Sequence, residues 1–199
     1  PLNKNQSSVL NKKIIKQIKK HDLVIVSDYG HGFISNDAAK KIIKYSKFIA
    51  VNAQLNAANV GHHTISNYVG ANLVIINENE MRHEMRNKYD GVEILIKKLS
   101  DKLKSQYTTV TSGDTGSKIY TRRSKKLLSC PAFAKNVVDK VGTGDAMLAL
   151  LSVGIYKKND VNFSMLVSAL AAAMKIQFMG NSQQIKKPDI IKSLQAYLS

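Results

Sequence analysis

Tryptophan is absent from this chain of 199 residues, proline occurs three times and cysteine once. The single thiol, Cys130, cannot close an internal disulfide, which excludes a cross-linked scaffold and fits a reducing, cytoplasmic setting. No stretch reaches the roughly 20 apolar residues that a membrane helix needs. The longest candidate, Met165 to Met174, is interrupted by Ser168 and ends at Lys175, so no membrane partner is expected. Acidic residues are scarce, 14 against 30 basic ones, for a net charge of +16. Arginine is scarce too: Arg82, Arg86, Arg122 and Arg123 leave 26 lysines. Arginine supplies most bidentate base readout and stacking, so a lysine surface without interleaved aromatics argues against nucleic-acid binding. The lysine pairs (Lys12-Lys13, Lys40-Lys41, Lys97-Lys98, Lys186-Lys187) read as solvated helix faces that draw in small anions.

What is present is a hydrophobic content of 44%, enough for an ordered core. Val9 to Lys20 places Leu10, Ile14, Ile15 and Ile18 at helical spacing. Leu23 to Val26, Phe48 to Val51 and Leu73 to Ile76 are short continuous apolar runs, the pattern of strands buried on both faces. Asn36 or Asp37 caps a helix carrying Ala38, Ile42, Ile43 and Tyr45. Helices are expected over Glu78 to Arg86 and Val92 to Leu103, a strand over Tyr107 to Thr111, and short antiparallel strands over Lys118 to Tyr120 and Leu127 to Cys130. Three helices follow: Asp145 to Tyr156, Val161 to Phe178 and Pro188 to Leu198. Strands alternating with helices predict an α/β fold with a mainly parallel sheet and helices on both faces, a single domain over 1–199. Ligands gather at the strand ends of such sheets.

The chemistry concentrates in Val138 to Met147. Gly142 and Gly144 form a tight turn that runs directly into an apolar helix pattern. The first turn of a helix presents unpaired N–H groups and the positive end of its dipole, a ready site for an anion. Asp145 in that turn would repel a bound phosphate. It makes sense if it takes a proton from a hydroxyl that attacks the phosphate, as in a kinase for a small alcohol.

Asp139 to Asp145 resembles the C-terminal signature of the ribokinase-like (PfkB) carbohydrate kinases, Asp-Thr-x-Gly-Ala/Thr-Gly-Asp, departing from it at Lys140 and Val141. Ser27-Asp28-Tyr29-Gly30-His31-Gly32 is similar to the Ser-Asp-Tyr-Gly-Lys-Gly stretch of the family's heptose-phosphate kinase branch. Asn77-Glu78-Asn79-Glu80 resembles its Asn-x-x-Glu motif, and Val110 to Gly116 its Thr-x-Gly-x-x-Gly nucleotide loop. The four motifs stand in family order.

This resemblance implies a ribokinase-like core and ATP-dependent phosphorylation of a sugar or sugar phosphate. Asp145 would be the general base, with the amides of Gly142, Thr143 and Gly144 as the anion hole. Asn77 and Glu80 would orient Mg2+ through water, and Asp139 would help hold a monovalent cation. Thr111, Gly113 and Gly116 would line the nucleotide. Ala169 to Asn181, including Gly180, would flank the adenine, although the heptose branch carries asparagine where Ala169 falls. Asp28, Asn52 and Gln54 would face the substrate; where the heptose kinases have Asp-Pro-Lys this chain has Asn52-Ala53-Gln54, which points to a neutral or differently charged sugar. The family's N-terminal sugar motif and lid sheet have no counterpart here, so the chain is expected to be the C-terminal part of a longer kinase, binding ATP weakly and transferring little by itself. A homodimer is compatible with the family.

Plainer readings stand beside these. Asn77 and Glu80 also spell a helix-capping box, Asp-Tyr-Gly is an ordinary turn, and His62-His63 lacks the company a metal site needs. Two functional alternatives remain at this point: a pyridoxal- or hydroxymethylpyrimidine-type kinase of the same superfamily, and a non-catalytic nucleotide-binding module.

Overall fold

The structure, a computed structural model, describes residues 3–55, 64–134, 138–139, 141–179, 182 and 184–198. Its helices are α1 (Lys4–Ile18), α2 (Asn36–Tyr45), α3 (Glu78–Met85), α4 (Val92–Leu103), α5 (Thr143–Tyr156), α6 (Val161–Lys175) and α7 (Lys187–Leu198). The strands are β1 (Leu23–Asp28), β2 (Phe48–Ala53), β3 (Leu73–Asn77), β4 (Tyr107–Thr111), β5 (Ser117–Thr121) and β6 (Lys126–Cys130), in one sheet in that spatial order. The pairs β1–β2, β2–β3 and β3–β4 are parallel. Four residues join β5 to β6, a connection short enough only for an antiparallel turn. This is the α/β sheet that the alternating pattern predicts.

The chain divides into two compact units: Pro1–Thr111 with Ile119–Leu127, and Ser112–Lys118 with Leu128–Ser199. In the first, Val51, Val74, Ile76 and Val110 from the sheet pack with Leu95, Ile96, Leu99 and Leu103 of α4 and with Met81 of α3. Spacing of four places Leu95, Leu99 and Leu103 on one face of α4, and each is fully buried. In the second unit α5 and α6 meet at Gly154, where a Cβ would lie 2.6 Å from Ser164 Oγ. Glycine at that point permits a close helix contact that any side chain would obstruct.

Several sequence expectations shift, the end of α6 from Phe178 to Lys175 among them. Helix α1 begins at Lys4 instead of Val9, because Asn3 and Gln6 cap each other: the Gln6 amide donates to Asn3 Oδ1 at 2.9 Å and the Asn3 amide to Gln6 Oε1 at 3.0 Å. Helix α2 is capped by Ser35, whose Oγ accepts from the Ala38 amide at 3.2 Å, and Asp37 instead bonds Lys41 and Asn11. Strand β1 is not buried on both faces. It is the sheet's edge strand, and Ile25 is 41% exposed. Finally, a 3-10 turn at Ile65–Tyr68, unforeseen in the polar run after β2, carries the fully buried Tyr68.

Candidate functional site

Within the first unit, parallel pairing brings the C-terminal ends of four strands into line. Asp28 stands opposite Ala53, and Asn77 opposite Thr111. The backbone rungs of the β2–β3 ladder end at Val51 and Val74. Beyond them the Asn52 side chain takes over, its Nδ2 donating to the Ile75 carbonyl at 2.8 Å. Asn52 is buried, so this bond satisfies an acceptor that lies beyond the backbone rungs. The Gln54 amide donates to the Asp28 carbonyl at 2.8 Å. Asp28, Asn52 and Gln54, separate in sequence, are thereby brought together.

The Asp28 carboxylate is 5% exposed as a residue, and protein donors reach both its oxygens. The Gly30 amide donates to Oδ1 at 3.0 Å and the Tyr68 hydroxyl to Oδ2 at 2.5 Å. Burial, and then the neighbouring Asp28, hold the Tyr68 phenol far above its ordinary range, so it remains a donor at any working pH. Tyr68 is a residue that the sequence patterns missed. Its only local signal is an aromatic at the end of a polar stretch.

Asn77 and Glu80 form the reciprocal cap that S/T/N-x-x-E spacing allows. The Glu80 amide donates to Asn77 Oδ1 at 2.8 Å, and the Asn77 amide to Glu80 Oε2 at 3.1 Å. Glu80 Oε1 accepts from the Leu55 amide at 3.1 Å, which ties the end of β2 to the start of α3. Burial raises the proton affinity of Glu80, and the amide bonds offset this only in part. Each Glu80 oxygen keeps a lone pair beyond the bond described. Among the described residues, no three His, Cys, Asp or Glu side chains cluster as a metal cage would require. The donor set therefore suits an ion that keeps its waters and sits mainly on phosphates, as Mg2+ does.

Within the second unit, the loop 112–116 closes on itself. The Ser112 amide donates to the Gly116 carbonyl and Thr115 Oγ1 to the Ser112 carbonyl, both at 2.8 Å. Gly116 has φ 89°, and a Cβ there would sit 2.1 Å from the Cys130 carbonyl oxygen. Only glycine fits. Nothing lies within 4 Å of a Cβ placed on Gly113, so that edge of the loop stands open.

The turn before α5 has the shape its glycines suggest. Gly142 adopts φ 80° and no side chain caps the helix, so the first-turn amides lack the side-chain acceptor that most N-termini carry. A Cβ on Gly144 would meet nothing within 4 Å, leaving room for a bulky group. Thr143 Oγ1 is buried without a hydrogen-bond partner. Amides without a side-chain cap, open space and a buried hydroxyl lacking a partner fit a phosphate, which supplies acceptors only. Asp145 lies in the same first turn. Asp139 Oδ1 accepts from the Val141 amide at 2.9 Å. The amides of Val138 and Asp139 donate to the Ile176 carbonyl at 3.0 and 3.1 Å, anchoring the approach to the turn at the end of α6. Ala169 is half-buried in α6. Gly180, Asn181, Lys140, His62 and His63 lie outside the described residues.

Sequence comparison matches the profile described as pfkB family carbohydrate kinase over residues 2–188. The chain is 30% identical over 165 residues to the Bifunctional protein HldE of Campylobacter fetus subsp. fetus (strain 82-40), covering 81% of this chain and 35% of that protein. It is 28% identical over 190 residues to the protein of the same name from Helicobacter pylori (strain Shi470), covering 92% and 39%. The chain thus spans a little over a third of the length of these relatives. Among solved structures, Arabidopsis thaliana ribokinase complexed with ribose and ATP superposes with a TM-score of 0.76 at 16% identity, over 92% of this chain and 59% of that one. Phosphofructokinase-2 from Escherichia coli in complex with potassium gives 0.79 at 13% identity, over 99% and 63%. At these identities the likeness establishes the fold.

Proposed function

The chain belongs to the pfkB family of carbohydrate kinases, and from that premise we propose that it carries the nucleotide-binding and base-bearing part of an ATP-dependent phosphotransferase acting on a hydroxyl of a sugar or sugar phosphate. The observation that carries this reading is the turn at Gly142–Asp145, where uncapped amides, open space and an unpartnered threonine hydroxyl adjoin a carboxylate.

In this reading the amides of Thr143 and Gly144 hold the oxygens of the transferring phosphoryl group, whose charge grows at the transition state. Asp145 accepts the proton of the attacking hydroxyl as the new P–O bond forms. Thr111, Gly113 and Gly116 lie along the nucleotide. The open Gly113 edge admits it, while Gly116 keeps the loop pressed against 130–132. Ala169 is assigned to the adenine side, as Gly180 and Asn181 are by the family pattern. Bound Mg2+ would neutralise phosphate charge; Asn77 and Glu80 would hold it through its waters. A monovalent cation near Asp139 is assigned by the family pattern. Asn52 and Gln54, at the end of β2, are assigned to the acceptor side.

The test is calorimetric titration of the full-length gene product with a non-hydrolysable ATP analogue, followed by turnover of wild type and Asp145→Asn. The variant should bind the analogue within about twofold of wild type and lose transfer by about 10²-fold or more. Undiminished turnover in Asp145→Asn would remove it as the base.

A further inference from the structure

The loop after β1 carries three aromatic side chains at alternate positions, Tyr29, His31 and Phe33, in a chain with only 7% Phe, Trp and Tyr. All three are exposed, Tyr29 by 43% and Phe33 by 61%. The Tyr29 and His31 rings are 6.5 Å apart between centroids and parallel to within 9°. The two rings are parallel and stacked, so each fixes the orientation of the other and the pair is exposed as one aromatic unit. Such exposure costs solvation free energy with no core to gain from it, and a short loop would ordinarily be too mobile to hold two rings in register.

This loop is held. Asp28 fixes its base through the Gly30 amide, and the carboxylate is itself fixed by the buried Tyr68 hydroxyl. Gly30 and Gly32, at φ 70° and 78°, supply the left-handed turns between these aromatic positions. The Gln54 amide on the Asp28 carbonyl ties the same point to the end of β2. A buried carboxylate bonded in this way adds order, and the ordered groups are the two rings.

The geometry points to Tyr29 and His31 as an aromatic platform for the acceptor, stacking on the C–H face of its sugar ring, with Asp28 and Tyr68 as positioning residues behind it. This deepens the proposed function and rests on it. The sugar class follows from chemistry: a pyranose offers a flat apolar face for the rings and a polar rim, and the His31 nitrogens lie at a ring edge, where a rim hydroxyl would be met. Asp28, buried and twice bonded, acts through the loop and not by touching the acceptor.

The experiment uses the full-length gene product, a panel of aldohexoses, aldoheptoses and their phosphate esters, and steady-state kinetics on whichever member is turned over. Tyr29→Ala and His31→Ala should each raise the acceptor KM about tenfold, leaving kcat and the KM for ATP within about twofold. Tyr29→Phe, which keeps the face, should stay near wild type. Asp28→Asn can bond both the Gly30 amide and Tyr68 and should retain most of the affinity. Tyr68→Phe should raise the acceptor KM and speed amide hydrogen exchange at Gly30. An acceptor KM unmoved in the Tyr29→Ala/His31→Ala double variant overturns the platform and leaves the kinase reading standing. A protein that binds the ATP analogue yet phosphorylates no member of the panel overturns both.

Discussion

Thr143 shows how one side chain can separate a stability role from a ligand role. Its hydroxyl is buried without a partner, and an unsatisfied buried polar group of this kind costs about 1–3 kcal/mol. Thr143→Val keeps the shape and removes the hydroxyl. In the absence of nucleotide the variant should unfold at equal or higher denaturant, by up to about 1 kcal/mol, and its affinity for an ATP analogue should fall several-fold. Parallel urea melts and titrations check both halves. A variant that is less stable without nucleotide would mean that the hydroxyl already has a protein partner. Asn77 and Glu80 show the opposite arrangement. The capping reading and the metal reading name the same two residues, and the cap is formed; local spacing signals a capping box whether or not an ion also uses it.

At the scale of elements, α5 and α6 test how much backbone proximity matters. A Cβ at Gly154 would stand 2.6 Å from Ser164 Oγ and 2.8 Å from its Cβ, and a serine so near its own backbone has little freedom to retreat. Gly154→Ala gains about 1 kcal/mol of helix propensity against an overpacking cost of about 1–3 kcal/mol. A net loss of about 1 kcal/mol is expected in equilibrium unfolding. Ser164→Gly in the same chain should couple favourably with it in a double-mutant cycle; additive effects would show that the helices do not press on each other there. Elements were also the most legible level of the sequence. The α4 and β4 expectations, Val92 to Leu103 and Tyr107 to Thr111, agree with the structure at both ends, because period and apolar runs are local signals. The cap of α2 was misplaced because Ser, Asn and Asp stand side by side at 35–37 and all three can cap. The edge position of β1 was illegible for a different reason: an apolar run cannot reveal how many neighbours a strand will have. Tyr68 and Asp28 lie 40 residues apart, and no short window contains both. The turn at Gly142–Asp145 was readable because glycine spacing, helix start and carboxylate fall within four residues.

For the whole molecule, charge and the open strand edge act against each other. Strand β1 offers its outer backbone groups and the exposed Ile25 at the sheet's edge, a template for pairing with another chain. The net charge of +16 keeps copies apart through repulsion that salt shortens from about 10 Å at 0.1 M to about 3 Å at 1 M. Light scattering of the 199-residue chain should therefore rise with sodium chloride, reversing the usual behaviour of a protein held together by ion pairs. Ile25→Lys should suppress that rise. Salt-insensitive scattering would show that the edge is covered in solution. The ion pairs Lys41–Asp37 and Lys47–Asp22 are solvent-exposed and contribute little to this balance.

Glu80 sets a constraint of another kind. One oxygen restrains Leu55 and the other closes the start of α3, so a cation drawing electron density from this carboxylate weakens it as an acceptor for both amides. Under the proposed metal role, loading the ion and loosening the Leu55 amide are two ends of a single lever, so the arrival of metal would register at Leu55 before any sugar is touched.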